Sequence, residues 1–102
     1  MVSFAVSSAT GALSSSPVST FNTGSNSSYM ALSSDGSYLV VANNGTGNNG
    51  SVQIVHVSGG SLSQTPTASF SPSSCPNPFR VVFVPGSSST FYVACSTLPS
   101  QT

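Results

Sequence analysis

Asp35, His56 and Arg80 are each the sole residue of their type in this chain, which has no Lys and no Glu. Together with a serine, the first two would make the parts of a nucleophilic relay: hydroxyl, imidazole base and orienting carboxylate. The sequence holds 26 serines, so the presence of a serine carries no information, and only geometry could make a relay of them. Arg80 offers a planar guanidinium suited to a carboxylate or phosphate. One imidazole and one carboxylate are too few for a zinc or calcium site, so no metal and no cofactor are expected. The stretch Gly45-Thr46-Gly47-Asn48-Asn49-Gly50 spells the phosphate-cradling pattern Gly-x-Gly-x-x-Gly. That pattern works only where a helix follows and turns its N-terminus to the phosphates. Here a strand-like run follows and no acidic residue lies downstream, so the stretch reads as a flexible connection between strands.

The elements that must position these residues are strands. No apolar period of 3.6 residues is present, and β-branched and aromatic residues gather in short runs bounded by Gly, Pro, Asn and Ser. The runs are Val2 to Val6, Val18 to Phe21, Tyr29 to Leu32, Tyr38 to Ala42, Val52 to Val57, Thr67 to Phe70, Phe79 to Val84 and Phe91 to Cys95. They fall into two copies of four. Val2 and Phe4 match Val52 and Ile54 at an offset of 50; Gly11, Leu13, Pro17 and Phe21 match Gly60, Leu62, Pro66 and Phe70 at 49; Val41-Ala42 match Val93-Ala94 at 52. Four strands repeated at about 50 residues is the pattern of propeller blades. The repeats run over about 2–50 and 51–97, with a tail at 98–102, in a single module of 102 residues.

The stretch "YMALSSDGSYLVVANNG" followed by "SVQIVHVSGGSL" resembles the repeat of lactonase-type seven-bladed β-propellers, the muconate-cyclase-like and phosphogluconolactonase-like proteins. The resemblance rests on Ser33-Ser34-Asp35-Gly36 as the turn, Val41-Ala42-Asn43 as the end of the next strand, and Ser51-Val52-Gln53-Ile54 as the one after. Val84-Pro85-Gly86-Ser87 takes the place of the Asp-Gly turn in the second copy. With blade strands named A to D from the channel outward, the chain reads C-D, A-B-C-D, A-B. The fold class is therefore all-β, with propeller-like antiparallel four-stranded blades in split register, completed by oligomerisation or by blades of a longer parent chain. The pattern enters a strand at Val2, as in a piece cut from something longer. Strand Tyr38 to Ala42 is apolar on both sides of its pleat and needs cover on both faces. The family lines its channel with Arg, His and Glu, which implies an anion-binding channel role for Arg80; the alternative is a structural contact to backbone carbonyls or a C-terminal carboxylate. Where the family carries Pro-His-Pro-His, this chain has Pro76-Asn77-Pro78-Phe79, so the resemblance implies the fold more than the lactone chemistry.

Within this frame Asp35 shapes a turn: its carboxylate accepts bonds from nearby backbone N–H groups, and Gly36 takes the positive φ. His56, counted back along its hairpin, falls near Tyr38. Cys75 precedes one strand of a hairpin and Cys95 ends the other, which places them side by side. They are either a disulfide, worth about 3 kcal/mol by the chain-entropy model, or two thiols in a reducing compartment. Asn26, Asn44 and Asn49 open Asn-x-Ser/Thr sequons, acceptors in a eukaryotic secretory route.

Only 2% of the residues are charged and the formal net charge is zero. No field draws nucleic acid, no run reaches the ~18 apolar residues of a membrane span, and no basic start or sustained apolar core marks a signal peptide. Serine-rich, charge-poor composition suits an extracellular or cell-surface protein. Proton-transfer catalysis needs tunable acids and bases, which are nearly missing. The first expectation is a non-catalytic structural or self-assembling module that pairs with itself or with further blades. The alternatives are part of a lactonase- or cyclase-like enzyme acting on a small carboxylate or lactone, and a glycan-binding surface.

Overall fold

The run Tyr38–Asn43 has no polar side chain until its last residue, and both of its faces are buried or half-buried. Such a strand can exist only inside a stack. The computed structural model describes residues 1–63, 66, 68–71 and 73–96, and among them nine strands and no helix: β1 (Val2–Ser3), β2 (Ser19–Thr20), β3 (Ser27–Leu32), β4 (Tyr38–Asn43), β5 (Ser51–Ser58), β6 (Ser61–Leu62), β7 (Ala68–Phe70), β8 (Asn77–Phe83) and β9 (Phe91–Ser96). All pairings are antiparallel. Strands β3, β4, β5 and β7 are hydrogen-bonded in that order, giving one whole A-B-C-D blade, while β6 folds back on the far end of β5. The hairpins β1–β2 and β8–β9 are separate two-stranded sheets, a C-D half and an A-B half. The chain is thus all-β, with a propeller-like blade between two half-blades. The expected tail at 98–102, Thr67 and Thr97 lie outside the described residues.

Each half-blade covers one face of the whole blade. Val41 and Val55 pack with Phe21 and Leu62, flanked by Met1, Leu39 and Val57. On the opposite face Val40, Ala42 and Val52 pack with Val81, flanked by Ile54, Phe83, Phe91 and Val93. The alternation follows from the period of two along a strand. Each fully buried valine here contributes about 1.5–3 kcal/mol.

The two A-B hairpins share a defect. The β3–β4 register shifts between Ser27 and Tyr29, and the β8–β9 register shifts between Pro78 and Arg80. With Leu32 opposite Leu39 and Phe83 opposite Phe91, Tyr29 corresponds to Arg80, Met30 to Val81 and Val40 to Tyr92. The C-D hairpins correspond as well, with one correction to the sequence alignment. Val6 bridges Leu13 as Val57 pairs Leu62, and Val2 pairs Thr20 as Gln53 pairs Ser69. Val2 therefore stands for Gln53, and Phe4 for Val55, one residue away from the match to Val52 and Ile54. Apolar matching misled here because Met1 and Ser3 take the positions of Val52 and Ile54, and a one-residue slip exchanges the two faces. The strands β1 and β2 are also shorter than the runs Val2 to Val6 and Val18 to Phe21. The equivalent β5 is held by neighbours on both edges and spans eight residues; β1 pairs only with β2 and spans two.

Candidate functional site

Asp35 sits in the β3–β4 turn, exposed to solvent. Its Oδ1 accepts bonds from the Ser37 hydroxyl (2.7 Å), the Ser33 hydroxyl (2.8 Å) and the Ser37 amide (3.0 Å). The Ser37 hydroxyl and amide, then Ser33, hold the carboxyl well below the usual carboxylate range. Gly36 takes φ of 75°, which costs a glycine nothing. The buried Ser33 also receives the Tyr38 amide at 3.0 Å, so one acid and two serines close the turn. Across the blade gap, Ser88 accepts the Asp35 amide at 3.1 Å and its hydroxyl meets that of Ser34 at 2.9 Å. The same turn in the second copy, with Gly86 at φ 76°, supplies that contact.

His56 lies opposite Tyr38, their rings edge to face at 5.4 Å. It is exposed, and among the described residues no carboxylate or serine hydroxyl bonds to it. The Asp35 carboxylate spends its Oδ1 on its own turn and makes no bond to His56 among the described residues, so no relay is assembled. No group of three His, Cys, Asp or Glu side chains capable of holding a metal is present among the described residues.

Arg80 and Tyr29, equivalent positions on the two innermost strands, meet directly. The guanidinium carbon lies 5.0 Å from the Tyr29 ring centroid, and the Ser28 hydroxyl donates to the Phe79 carbonyl at 3.2 Å. An open cleft of about 440 Å³, lined by Tyr29, Arg80, Val82, Tyr92 and Ala94 among others, lies beside this pair. The Arg80 donors have no ion-pair or hydrogen-bond partner among the described residues. The guanidinium is fixed by stacking and open at its edge, an arrangement that can accept an oxyanion.

The glycine-rich connection is packed rather than loose. Gly45 and Gly50 are buried; the Gly50 amide donates to the Pro76 carbonyl at 2.8 Å, and a Cβ on Gly50 would come within 2.7 Å of the Asn43 and Pro76 carbonyls. Asn77 donates its amide to the carbonyls of Asn44 and Gly47. Asn77 is therefore spent on holding this loop. Phe79 is the residue skipped by the register shift.

A buried amide network had no counterpart in the sequence reading. Asn43 donates to Ser51 (3.1 Å) and Gln53 (2.9 Å) and accepts from Ser27 (2.7 Å), while Gln53 also receives the Gly24 amide at 3.0 Å. The signal was the lone polar residue closing an apolar strand. The repeat equivalence pairs Asn43 with Cys95 and Gly24 with Cys75. Cys75 and Cys95 are joined by a disulfide across a Cα separation of 5.3 Å. At the matching place in the first copy, the Asn43 side chain fills the space over Gly24.

Of the sequon asparagines, Asn26 donates to the Gly45 carbonyl at 2.7 Å and Asn44 to the Asn77 and Pro78 carbonyls at 3.4 Å. Asn49 is exposed and uses only its oxygen, which accepts the Thr46 amide, so its nitrogen is the most accessible of the three. No helix among the described residues is long and apolar enough to cross a membrane. Comparison with protein-family models, curated proteins and solved structures gave no match.

Proposed function

We propose that this chain is a non-catalytic structural module of a lactonase-type propeller repeat, which assembles with copies of itself. One observation carries the reading: the separate hairpins β1–β2 and β8–β9 are complementary halves of a blade. The outer edge of β9 lacks a strand C, and the outer edge of β1 lacks a strand B. An open edge without charge invites pairing with another chain, and neither strand contains a charged residue. Two blades' worth of strands per chain would give six or eight blades in a ring of three or four copies, within the range that propellers use. The spent Asp35, the solitary His56 and the diverted Asn77 support a role without catalysis. The disulfide, compatible with an oxidising compartment, supports a place outside the cell.

Native mass spectrometry, run with and without reductant, tests the reading. A discrete trimer or tetramer is expected. A chain that stays monomeric across the accessible concentration range would remove self-assembly and leave the blades of a longer parent chain as the partner.

A further inference from the structure

Several of the exposed apolar side chains are the counterparts of buried ones. Phe21 is 1% exposed and its equivalent Phe70 is 42%; Val40 is 1% exposed and its equivalent Tyr92 is 65%. Val81 is buried while its equivalent Met30 is half exposed, and Val55 is buried while Phe4 is half exposed. In every pair the buried member faces a neighbouring hairpin, and the exposed member faces the place where the next one would lie.

Those open places fit one another. Val2, Phe4 and Val6 alternate with Ser3, which faces the chain's own whole blade, so they share the outer face of the C-D half with Leu13. Beside the β9 edge, Phe70 and a cleft of about 230 Å³ between the whole blade and β8–β9, lined by Tyr38, Ile54, Phe83 and Phe91 among others, stay open. A C-D half added to β9 would lay Val2 and Phe4 over that region. In return, Val82 and Tyr92 on the outer face of β9's hairpin would cover Met30 and Leu32 of the chain that supplied it. One docking event closes both apolar openings.

We propose that β9 of one copy pairs antiparallel with β1 of a second copy in the register that joins β4 to β5. This rests on the self-assembly reading above and adds its geometry. In the β4–β5 ladder Leu39 faces Val55, Val40 faces Ile54, Val41 faces Gln53 and Ala42 faces Val52. Carried over by the repeat equivalence, Phe91 faces Phe4 of the second copy, Tyr92 faces Ser3, Val93 faces Val2 and Ala94 faces Met1. The Val57 amide donates to the Ser37 carbonyl, so Tyr38–His56 and Val40–Ile54 are the non-hydrogen-bonded pairs of the ladder. Their counterparts, Thr90 with Ala5 and Tyr92 with Ser3, bring Cα atoms to about 4.5 Å, within disulfide reach. The interface is head to tail, so neither surface pairs with itself.

The test mixes a Ser3→Cys chain with a Tyr92→Cys chain under mild oxidation and reads covalent species by mass under non-reducing conditions. The mixture gives a covalent dimer holding one copy of each variant, while each variant alone gives little. Ala5→Cys mixed with Thr90→Cys repeats the result at exposed positions, should Ser3→Cys disturb the bond between the Ser3 and Ser19 hydroxyls. A discrete oligomer that links through Phe4→Cys and Tyr92→Cys instead, or through neither set, overturns this register but leaves self-assembly standing. A wild-type chain that stays monomeric overturns both.

Discussion

Asp35 shows how much one charged side chain can be asked to do without chemistry. Three donors converge on one of its oxygens, so the ionised form is favoured and the group is unfit to donate a proton near neutrality. Because its folded pKa is depressed, its contribution to stability is present above the ordinary carboxylate value and is lost as pH falls through the acid range. It is the only side-chain carboxylate in the molecule. The thermal midpoint is therefore expected to stay level from neutrality down to about pH 5 and to fall below about pH 4. The Asp35→Asn variant should lose most of that acid slope in a calorimetric series, while keeping the neutral-pH strand signal. A wild-type slope retained by the variant would mean that the turn does not depend on the charge. The turn role was legible from Asp-Gly between two apolar runs. The contacts from Ser88 and the Asn43 network were not, because each joins residues whose proximity only the folded blades create.

At the level of elements, two hairpins of one design are closed in two ways. The first copy uses Gly24 beneath Asn43, with three polar partners around the amide. The second uses Cys75 bonded to Cys95. The covalent tie lies two residues ahead of Asn77, whose amide holds the Asn44–Gly50 loop, so the bond steadies both β8 and the loop it supports. Cutting it by reduction, or by Cys75→Ser with Cys95→Ser, is expected to cost about 3 kcal/mol. Hydrogen exchange should show the loss first at Asn77 through Val81 and at Gly50, whose amide donates to Pro76, with β4 and β5 changed least. Uniform loss across all strands would mean that the disulfide acts on the whole chain and not on this corner. Strand existence was readable from short β-branched runs between turn residues. Strand length was not, because β1 and β2 are limited by a missing neighbour, which no local pattern reports. The two-residue β6 escaped for a similar reason: nothing local told that the chain would fold straight back on β5. The offset of 50 between Val2 and Val52 failed because a period of two makes neighbouring residues equally good apolar matches until a partner strand fixes the face.

For the whole molecule, the radius of gyration of 14.9 Å and extents of 51 × 29 × 23 Å exceed the roughly 13 Å radius of a compact domain this long. The excess is what a blade sandwiched between half-blades should show, since each half covers only half a face. Met30 makes the consequence measurable. In the single chain it is half exposed beside the Met1 and Val41 side of the stack, so a charge there is solvated. In the assembled state it would lie beneath Val82 and Tyr92 of a second copy, where an unpaired carboxylate costs several kcal/mol. Met30→Glu should therefore keep the wild-type circular dichroism spectrum and sediment as a monomer at concentrations where the wild type forms the proposed oligomer. Thr46→Glu, on the exposed loop, adds the same charge away from any blade face and should sediment like the wild type. Equal assembly by both variants would show that the Met30 face stays open to water in the oligomer, and the contact that closes the ring would then have to be sought on another surface.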